Sequence, residues 1–475
     1  MSNTKKNVVY NTLYHILTLI VPLITAPYLA RTIGAEGVGI YSYTASIAQY
    51  FILFAMLGLS NYGNRSIAKV RDDKKKLSKT FFSIYAVQLI SSALSIFAYV
   101  AFIALDNQYK NYSIIQFLYV ASAIFDISWF FFGIEKFKTT VTRNTIIKLL
   151  STAAIFIFVQ TPNDLPYYVI IMALSFLLSQ LALWPFLFKE IDLRVTLDFK
   201  EIKKHILPNL KLFIPVIAIS LYNIMDKIML GAICNAEEVG YYSNAEKIIQ
   251  IPITLISSLG TVMLPKISNL VANRKQTVAT KYIQKSLAFV MFITAPLCCG
   301  LFATGRNFSI IFYGENFVKT GILIEVLAIV IIIKAWANVL RTQYLIPHEK
   351  DKVYIWSVCL GAIINLLLNA LLIPSLQSIG ACIGTIAAEF IVMAYQAFAV
   401  RRELPIHQYI KQSLPFLAKA IIMFGFIYPL NLVNLNPYVR LAAQILAGVA
   451  IYSLLNFRYL SSLLNLSRLK KLKRN

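Results

Sequence analysis

The chain is poor in charged residues and in the signatures of soluble enzymes. Only 14% of its 475 residues are Asp, Glu, Lys or Arg, whereas soluble globular proteins carry about 25%. No Walker A, HExxH or GxSxG pattern is present, and no loop on the predicted outer side is long enough to hold a soluble active site. Nucleotide hydrolysis and proteolysis therefore lack support. We expect a protein that is not an enzyme.

Cysteine is scarce as well. The five cysteines have no metal-ligand spacing, and nearly all of them fall in apolar segments. This pattern is typical of small packing residues and does not indicate a metal site. The sequence indicates no cofactor; Na⁺ and H⁺ remain as candidate coupling ions.

Long apolar runs dominate the chain, which is 58% hydrophobic. About 20 apolar residues form a helix that crosses a bilayer, and a helix satisfies its own backbone hydrogen bonds in lipid. We therefore predict an all-α integral membrane protein with about 14 transmembrane helices. The predicted spans are 8–30, 38–61, 81–104, 112–133, 145–160, 166–188, 209–231, 240–262, 284–304, 320–342, 353–373, 378–400, 413–432 and 437–457.

The net charge of +24 raises the question of nucleic-acid binding. Most of the 45 Lys and Arg lie in the segments that face the cytoplasm if the N-terminus is inside. This bias orients a membrane protein, and it predicts that both termini are cytoplasmic. The basic loops are expected to meet anionic lipid headgroups of the cell membrane, and no nucleic-acid partner is expected.

One segment occurs twice. At an offset of 201, residues 35–49 (AEGVGIYSYTASIAQ) and 236–250 (AEEVGYYSNAEKIIQ) are identical at eight of fifteen positions. Each copy is a polar turn that opens an apolar span. We infer two pseudo-symmetric six-helix lobes, 1–205 and 206–405, followed by two additional helices and a basic tail in 406–475. A substrate would lie in the crevice between the two lobes.

Three stretches resemble one family of transporters. They are ARTIGAEGVGIYSY (30–43), DISWFFFGIEKFKTTVTRN (126–144) and LYNIMDKIMLG (221–231), the last continued by EEVGYYSNAEKIIQIP (237–252). The chain resembles the polysaccharide-transport (Wzx-type) branch of the multidrug/oligosaccharidyl-lipid/polysaccharide exporter superfamily over essentially its whole length. The resemblance implies two six-helix lobes around a central cavity that opens alternately to each side.

The same resemblance implies an O-antigen or capsule flippase. Such a protein moves an undecaprenyl-pyrophosphate-linked oligosaccharide from the inner to the outer leaflet, and its partners would include the polysaccharide polymerase and glycosyltransferases. The alternatives are a cation-coupled small-molecule exporter of the same fold, a membrane glycan polymerase or transferase, and a non-transporting assembly scaffold. Short loops disfavour the polymerase.

Charges within apolar spans are costly, so each needs a partner or a wet cavity. A pyrophosphate needs cations, and arginine can bind phosphate through two hydrogen bonds. The candidate substrate-binding cations are Arg31, Arg65, Lys227, Lys247 and Lys334. Their alternative roles are interfacial anchors, orientation signals and structural ion pairs.

Acidic residues in the spans are candidates for a coupling-ion site or for ion pairs. They are Asp126, Asp226, Glu246 and Glu389. Asp226 and Glu246 lie at similar depth on adjacent antiparallel helices, so Asp226 could pair with Lys247, and Glu246 with Lys227. Glu389 could bind a proton or sodium ion, or pair with Lys334.

Overall fold

The computed structural model describes residues 20–463 except residues 107 and 197, and it leaves out the side chains of 215 and 221–223. Every element in this part of the chain is a helix. The helices are α1 (20–32), α2 (Gly34–Met56), α3 (Leu59–Ala68), α4 (Lys74–Leu105), α5 (Lys110–Ala121), α6 (Ser128–Gly133), α7 (Phe137–Phe158), α8 (Leu165–Leu181), α9 (Trp184–Leu187), α10 (Phe199–Ile233), α11 (Ala236–Ala272), α12 (Gln276–Tyr313), α13 (Val318–Leu340), α14 (Asp351–Leu376), α15 (Ser378–Val400), α16 (Ile406–Ile427), α17 (Pro437–Leu455) and α18 (457–463).

The predicted all-α membrane class is confirmed. Twelve helical stretches of the described residues are long and apolar enough to cross a membrane. A thirteenth results if Phe199–Ser220 and Ile224–Ile233, which are bent by 55°, count as one span. These stretches coincide with the second to fourteenth predicted spans. The first, 8–30, lies mainly outside the described residues, so the count of fourteen stays a prediction.

The chain divides into two compact units, one ending at Ser243 and the other beginning at Asn244. The division falls inside α11, whereas the lobe boundary expected from the sequence repeat lies between residues 205 and 206. The lobes 1–205 and 206–405 follow the repeat, and they stay a prediction.

In the first unit, the two copies of the repeated segment touch through their glycines. Gly34, with φ of 71°, adopts a conformation that suits glycine and separates α1 from α2. A Cβ built on Gly39 would lie 1.6 Å from the carbonyl oxygen of Ala236, and one built on Gly240 would lie 1.9 Å from that of Ala35. Gly39 corresponds to Gly240, and Ala35 to Ala236, in the 201-residue repeat, so the two contacts are equivalent. The beginnings of α2 and α11 therefore meet backbone to backbone, as small residues spaced by four allow.

The segment DISWFFFG of the first unit forms a buried hub. The indole N–H of Trp129 donates to Oε1 of Gln88 at 3.0 Å. Nε2 of Gln88 donates to the carbonyl oxygens of Ala123 at 2.8 Å and Asp126 at 2.9 Å. Gly63 leaves room for the Trp129 ring, because a Cβ there would lie 2.5 Å from it. The aromatic residue and the amide thus tie α3, α4 and α6 together.

In the second unit, α14 and α15 pack closely along a seam of small and polar residues. A Cβ on Gly361 would lie 2.6 Å from Cγ2 of Val392, and one on Gly384 would lie 2.2 Å from Oδ1 of Asn369. Nε2 of Gln396 donates to Oγ of Ser357 at 2.9 Å within this seam. Buried side-chain hydrogen bonds and close backbone approach make the two helices a rigid pair.

Candidate functional site

A buried ion pair joins α13 and α15 of the second unit. Nζ of Lys334 lies 2.9 Å from Oε1 of Glu389. The Lys334 side chain is 19% exposed and the Glu389 side chain only 4%. Both residues lie within apolar helices, and Glu389 occupies the middle of α15. The alternative that Glu389 pairs with Lys334 therefore matches the geometry, and the lysine side chain is the more exposed of the two.

The polar face of α13 continues beyond this pair. Asn338 and Thr342 follow Lys334 at intervals of four residues, so the three side chains share one helical face. Gly260 of α11 packs against this face, since a Cβ there would lie 2.5 Å from Oδ1 of Asn338 and 2.9 Å from Oγ1 of Thr342. Oδ1 of Asn338 is buried without a hydrogen-bond partner among the described residues.

The same face ends in an irregular turn. Residues Arg341–Leu345 are π-helical, a rare conformation that often occurs at functional sites. Gln343, in this turn, is fully buried, and neither its amide nitrogen nor its amide oxygen has a partner within the described part of the chain. Nothing in the sequence marks this turn, and the site prediction did not include these residues.

Around the second copy of the repeat, the predicted acid and base residues have local partners. In the first unit, Tyr242 donates its hydroxyl to Oδ2 of the buried Asp226 at 2.6 Å. In the second unit, Nζ of Lys247 donates to Oδ1 of Asn244 at 3.2 Å. The proposed pairs Asp226–Lys247 and Glu246–Lys227 join residues assigned to different units, and they stay predictions. The side chains of Lys227 and Glu246 are half-buried.

The three remaining candidates belong to the first unit. Arg31, at the end of α1, and Arg65, in the last turn of α3, are both exposed. Asp126 lies in the break before α6, where its Oδ1 accepts a hydrogen bond from the Ser128 N–H at 3.0 Å. This bond stabilises a local turn. The roles of the three residues in binding or coupling stay predictions.

An apolar groove of about 510 Å³ lies between α12, α16 and α17 of the second unit. Its lining includes aromatic, aliphatic and glycine residues, among them Phe292, Pro296, Met423, Gly448 and Tyr452. Gln444, one of the polar side chains in the lining, ties α17 to α16 by donating to the Ile427 carbonyl at 3.2 Å and to Oδ1 of Asn431 at 3.1 Å. The last two helices were predicted only as additional spans, and no groove beside them was predicted.

A cluster of polar residues links two loops of the second unit. Lys350, before α14, binds the carboxylate of Glu403, which lies between α15 and α16, and Tyr344 donates its hydroxyl to the same carboxylate. Hydrogen bonding to Lys350 and then to Tyr344 holds the pKa of the Glu403 carboxyl below its usual range. The His348 ring stacks on Tyr344 with centroids 4.2 Å apart. This cluster fixes the entry to α16, and hence one wall of the groove.

Comparisons with known proteins agree with this architecture. A family model described as "Polysaccharide biosynthesis protein" matches residues 4–271. A protein of Escherichia coli (strain K12) named as a candidate O-antigen transporter is 25% identical over 402 residues, or 84% of this chain and 96% of that protein. The inward closed lipid II flippase MurJ has a TM-score of 0.79 at 16% identity, covering 96% of this chain and 99% of that one. An inward-facing multidrug resistance MATE family transporter of the MOP superfamily has a TM-score of 0.61 at 14% identity, covering 83% and 99%.

Proposed function

Because the chain belongs to the family of polysaccharide biosynthesis proteins, we propose that it is a flippase for lipid-linked oligosaccharides and acts as a transporter, not as an enzyme. The proposed substrate is an undecaprenyl-pyrophosphate-linked repeat unit of an O-antigen, capsule or exopolysaccharide. The protein carries it from the inner to the outer leaflet of the cytoplasmic membrane by alternating access. The similarity to a candidate O-antigen transporter supports this substrate class.

The observation that carries the proposal is the pair formed by Lys334 and Glu389. A cation in an apolar helix costs several kcal/mol unless an anion or water accompanies it, and a protein that only needed stable helices would gain as much from apolar residues. A lysine side chain that is 19% exposed, beside a glutamate side chain that is 4% exposed, suits a cation that must meet a second anion. We assign that anion to the pyrophosphate of the substrate.

The other predicted cations extend this assignment. A pyrophosphate carries two or more negative charges and loses part of its hydration as it crosses, so several cations must compensate it. Lys227 and Lys247 are proposed to accompany Lys334 within the spans, whereas Arg31 and Arg65 would meet the headgroup near the membrane surfaces. Asp126, Asp226 and Glu246 are proposed as ion-pair or coupling-ion residues, with H⁺ or Na⁺ as the ion.

The groove beside α16 and α17 suits the lipid part of such a substrate. A polyprenyl chain is a long hydrocarbon, and the apolar side chains of Phe292, Pro296 and Met423 in the groove offer it van der Waals contacts. Gly448 keeps the groove open at its middle. The pyrophosphate and the lipid would then be held by different parts of the second unit.

We propose that both termini are cytoplasmic, since the basic loops require that orientation. The contact of Gly39 with Ala236 would then lie near the outer surface. Labelling of a cysteine introduced near Asn475 by an impermeant reagent in intact cells would contradict this topology. The polysaccharide polymerase and glycosyltransferases that make and consume the substrate are the proposed protein partners.

Reconstitution tests the function directly. Purified protein in vesicles should move a fluorescent undecaprenyl-pyrophosphate oligosaccharide between leaflets, measured by its loss of protection from an impermeant glycosidase. Lys334→Gln should slow this movement by about tenfold or more, which corresponds to about 1.4 kcal/mol. Lys352→Gln, at an exposed position in the first turn of α14, is the matched control.

Two results would replace the proposal. Vesicles that leave the glycolipid in place but expel a cationic dye would indicate the small-molecule exporter. An increase in glycan chain length on incubation would indicate a polymerase. A Lys334→Gln protein that folds and flips the glycolipid at the normal rate would remove Lys334 from the substrate site.

A further inference from the structure

The two residues of the Lys334–Glu389 pair differ in side-chain exposure and in how tightly their helices are packed. The Lys334 side chain is 19% exposed, and the Glu389 side chain is 4% exposed. Glu389 belongs to the close α14–α15 pair, in which Gly361 packs against Val392, less than one turn beyond Glu389. Lys334 belongs to α13, which runs into the π-helical turn Arg341–Leu345. A fixed carboxylate therefore holds an amine that other anions can approach.

We propose that Glu389 holds the place of the substrate's phosphate on Lys334 while the transporter is empty. This inference rests on the proposed function. The lysine ammonium has three N–H donors, and its nitrogen lies 2.9 Å from Oε1 of Glu389. An incoming pyrophosphate offers more negative charge and more acceptor oxygens than a carboxylate. It competes with Glu389 for the same amine.

This exchange of anions has a consequence for the transport cycle. A carrier must change conformation twice, once loaded and once empty. When the substrate has left, the charge of Lys334 is costly in an apolar helix unless an anion accompanies it, and without that anion the empty protein would favour a state in which water reaches the amine. Glu389 neutralises the amine in that half of the cycle, so it serves the return of the empty carrier.

Removing the charge of Glu389 should change the affinity for the substrate in opposite directions, depending on whether Glu389 competes with the substrate or positions Lys334 for it. If Glu389 orients Lys334 for the substrate, removing its charge weakens binding. If Glu389 competes with the substrate, removing its charge strengthens binding. We expect Glu389→Gln to bind a fluorescent farnesyl pyrophosphate about tenfold more tightly than the wild type, a change of about 1.4 kcal/mol. Titration of detergent-purified protein by fluorescence anisotropy measures it.

In the same variant, Glu389→Gln, we expect different effects on net transport and on exchange of the probe. Net movement of the probe into vesicles that contain none requires the return of the empty carrier. Exchange of labelled for unlabelled probe across a membrane with probe on both sides does not, because the carrier then returns loaded. Glu389→Gln should lose net movement and keep exchange. Glu325→Gln is the matched control, because Glu325 lies on α13 and pairs with the exposed Arg306 at 3.1 Å; it should change neither rate.

Further variants keep every outcome decisive. If Lys334→Gln binds the probe as the wild type does, the proposed substrate site is wrong. If Lys334→Gln loses binding while Glu389→Gln binds no more tightly than the wild type, only the place-holding role is wrong. Should Glu389→Gln fail to fold, Glu389→Asp, whose shorter side chain weakens the contact and keeps the charge, replaces it. Tighter binding by Glu389→Asp supports the role, and equal or weaker binding rejects it.

Discussion

Gly39 and Ala236 are in backbone contact, so close that a Cβ on the glycine would lie 1.6 Å from the alanine carbonyl oxygen. No side chain can be accommodated there unless the helices separate, because the opposing atom belongs to the backbone. The contact is equivalent to that of Gly240 with Ala35. Both copies of the repeat therefore depend on the absence of a side chain in the other helix's path.

We predict that Gly39→Val separates the beginnings of α2 and α11 and lowers the thermal stability of the purified protein. Helix propensity alone would change little or improve, since glycine is the poorer helix former by about 1 kcal/mol. Gly425→Ala is the matched control, because no atom lies within 4 Å of a Cβ built there. Thermal unfolding in detergent measures both. A Gly39→Val protein as stable as the control would show that the contact can open freely.

The groove can be tested by filling it. Gly448 lies on its wall, and a Cβ there would meet Met423 at 3.6 Å, an ordinary contact distance. Gly448→Ala should therefore be tolerated, whereas Gly448→Trp should occupy the space proposed for the prenyl chain and reduce flipping severalfold. Leu446→Trp, on the 71% exposed lipid-facing position of the same helix, should leave transport unchanged. Equal flipping by all three variants in vesicles would contradict a lipid role for the groove.

Acid should weaken the loop cluster at Glu403. Lys350 and Tyr344 lower the pKa of this carboxyl in the folded protein, so the folded state binds a proton less readily than the unfolded state does. The stabilisation is complete above the unfolded pKa of about 4.3 and is lost as the pH falls through the folded value. Because the Glu403 side chain is 44% exposed, we expect no more than about 1 kcal/mol.

The measurement compares thermal unfolding near neutral pH with that below the ordinary pKa range of glutamate. Glu403→Gln should be less stable than the wild type at neutral pH, and the difference should shrink in acid. Glu349→Gln, at a neighbouring exposed position, should show no such difference. A Glu403→Gln defect that is the same at both pH values would mean that the carboxylate charge is not what stabilises the loops.

The hub around Gln88 should be sensitive to loss of its amide. Gln88→Leu keeps most of the volume but leaves the indole N–H of Trp129 and the carbonyl oxygens of Ala123 and Asp126 without their partner. Each buried orphan group costs about 1–3 kcal/mol. We expect a strong loss of folded protein, measured by size-exclusion profile and unfolding temperature. Gln108→Leu, at an exposed position, should have no effect; a well-folded Gln88→Leu protein would show that water replaces the amide.

The sequence predicted the fold because apolar length is a strong signal in membranes. The runs from 38–61 to 437–457 reappear as helices, and the resemblance based on the Arg31–Tyr41 turn and the Trp129 segment is confirmed by the family match. Lys334 and Glu389 could be named in advance because charges interrupt apolar runs. That they touch could not be derived, since it depends on how α13 and α15 rotate and slide against each other.

Other parts of the site carried no comparable signal. Lys350 and Glu403 lie in polar loops, where charges are ordinary, and only the fold brings them together. The groove results from where α16 and α17 pack against the second unit. The sequence of two uniformly apolar helices does not show which of their faces makes that contact. The π-helical turn Arg341–Leu345 itself contains no glycine or proline that would indicate an irregular helix. The predicted pairing of Asp226 with Lys247 still awaits a charge-swap experiment.

The mutual glycine contact also bears on how the internal duplication remains visible. A substitution at Gly39 disturbs the backbone at Ala236, and a backbone shift at Ala236 disturbs the packing of Gly39. The two copies therefore cannot diverge independently at these positions. Farther along the alignment, Thr44, Ala45 and Ser46 stand opposite Ala245, Glu246 and Lys247, and there the two copies differ in charge. The common origin of the copies is therefore still visible in the sequence at the point where their backbones restrain each other.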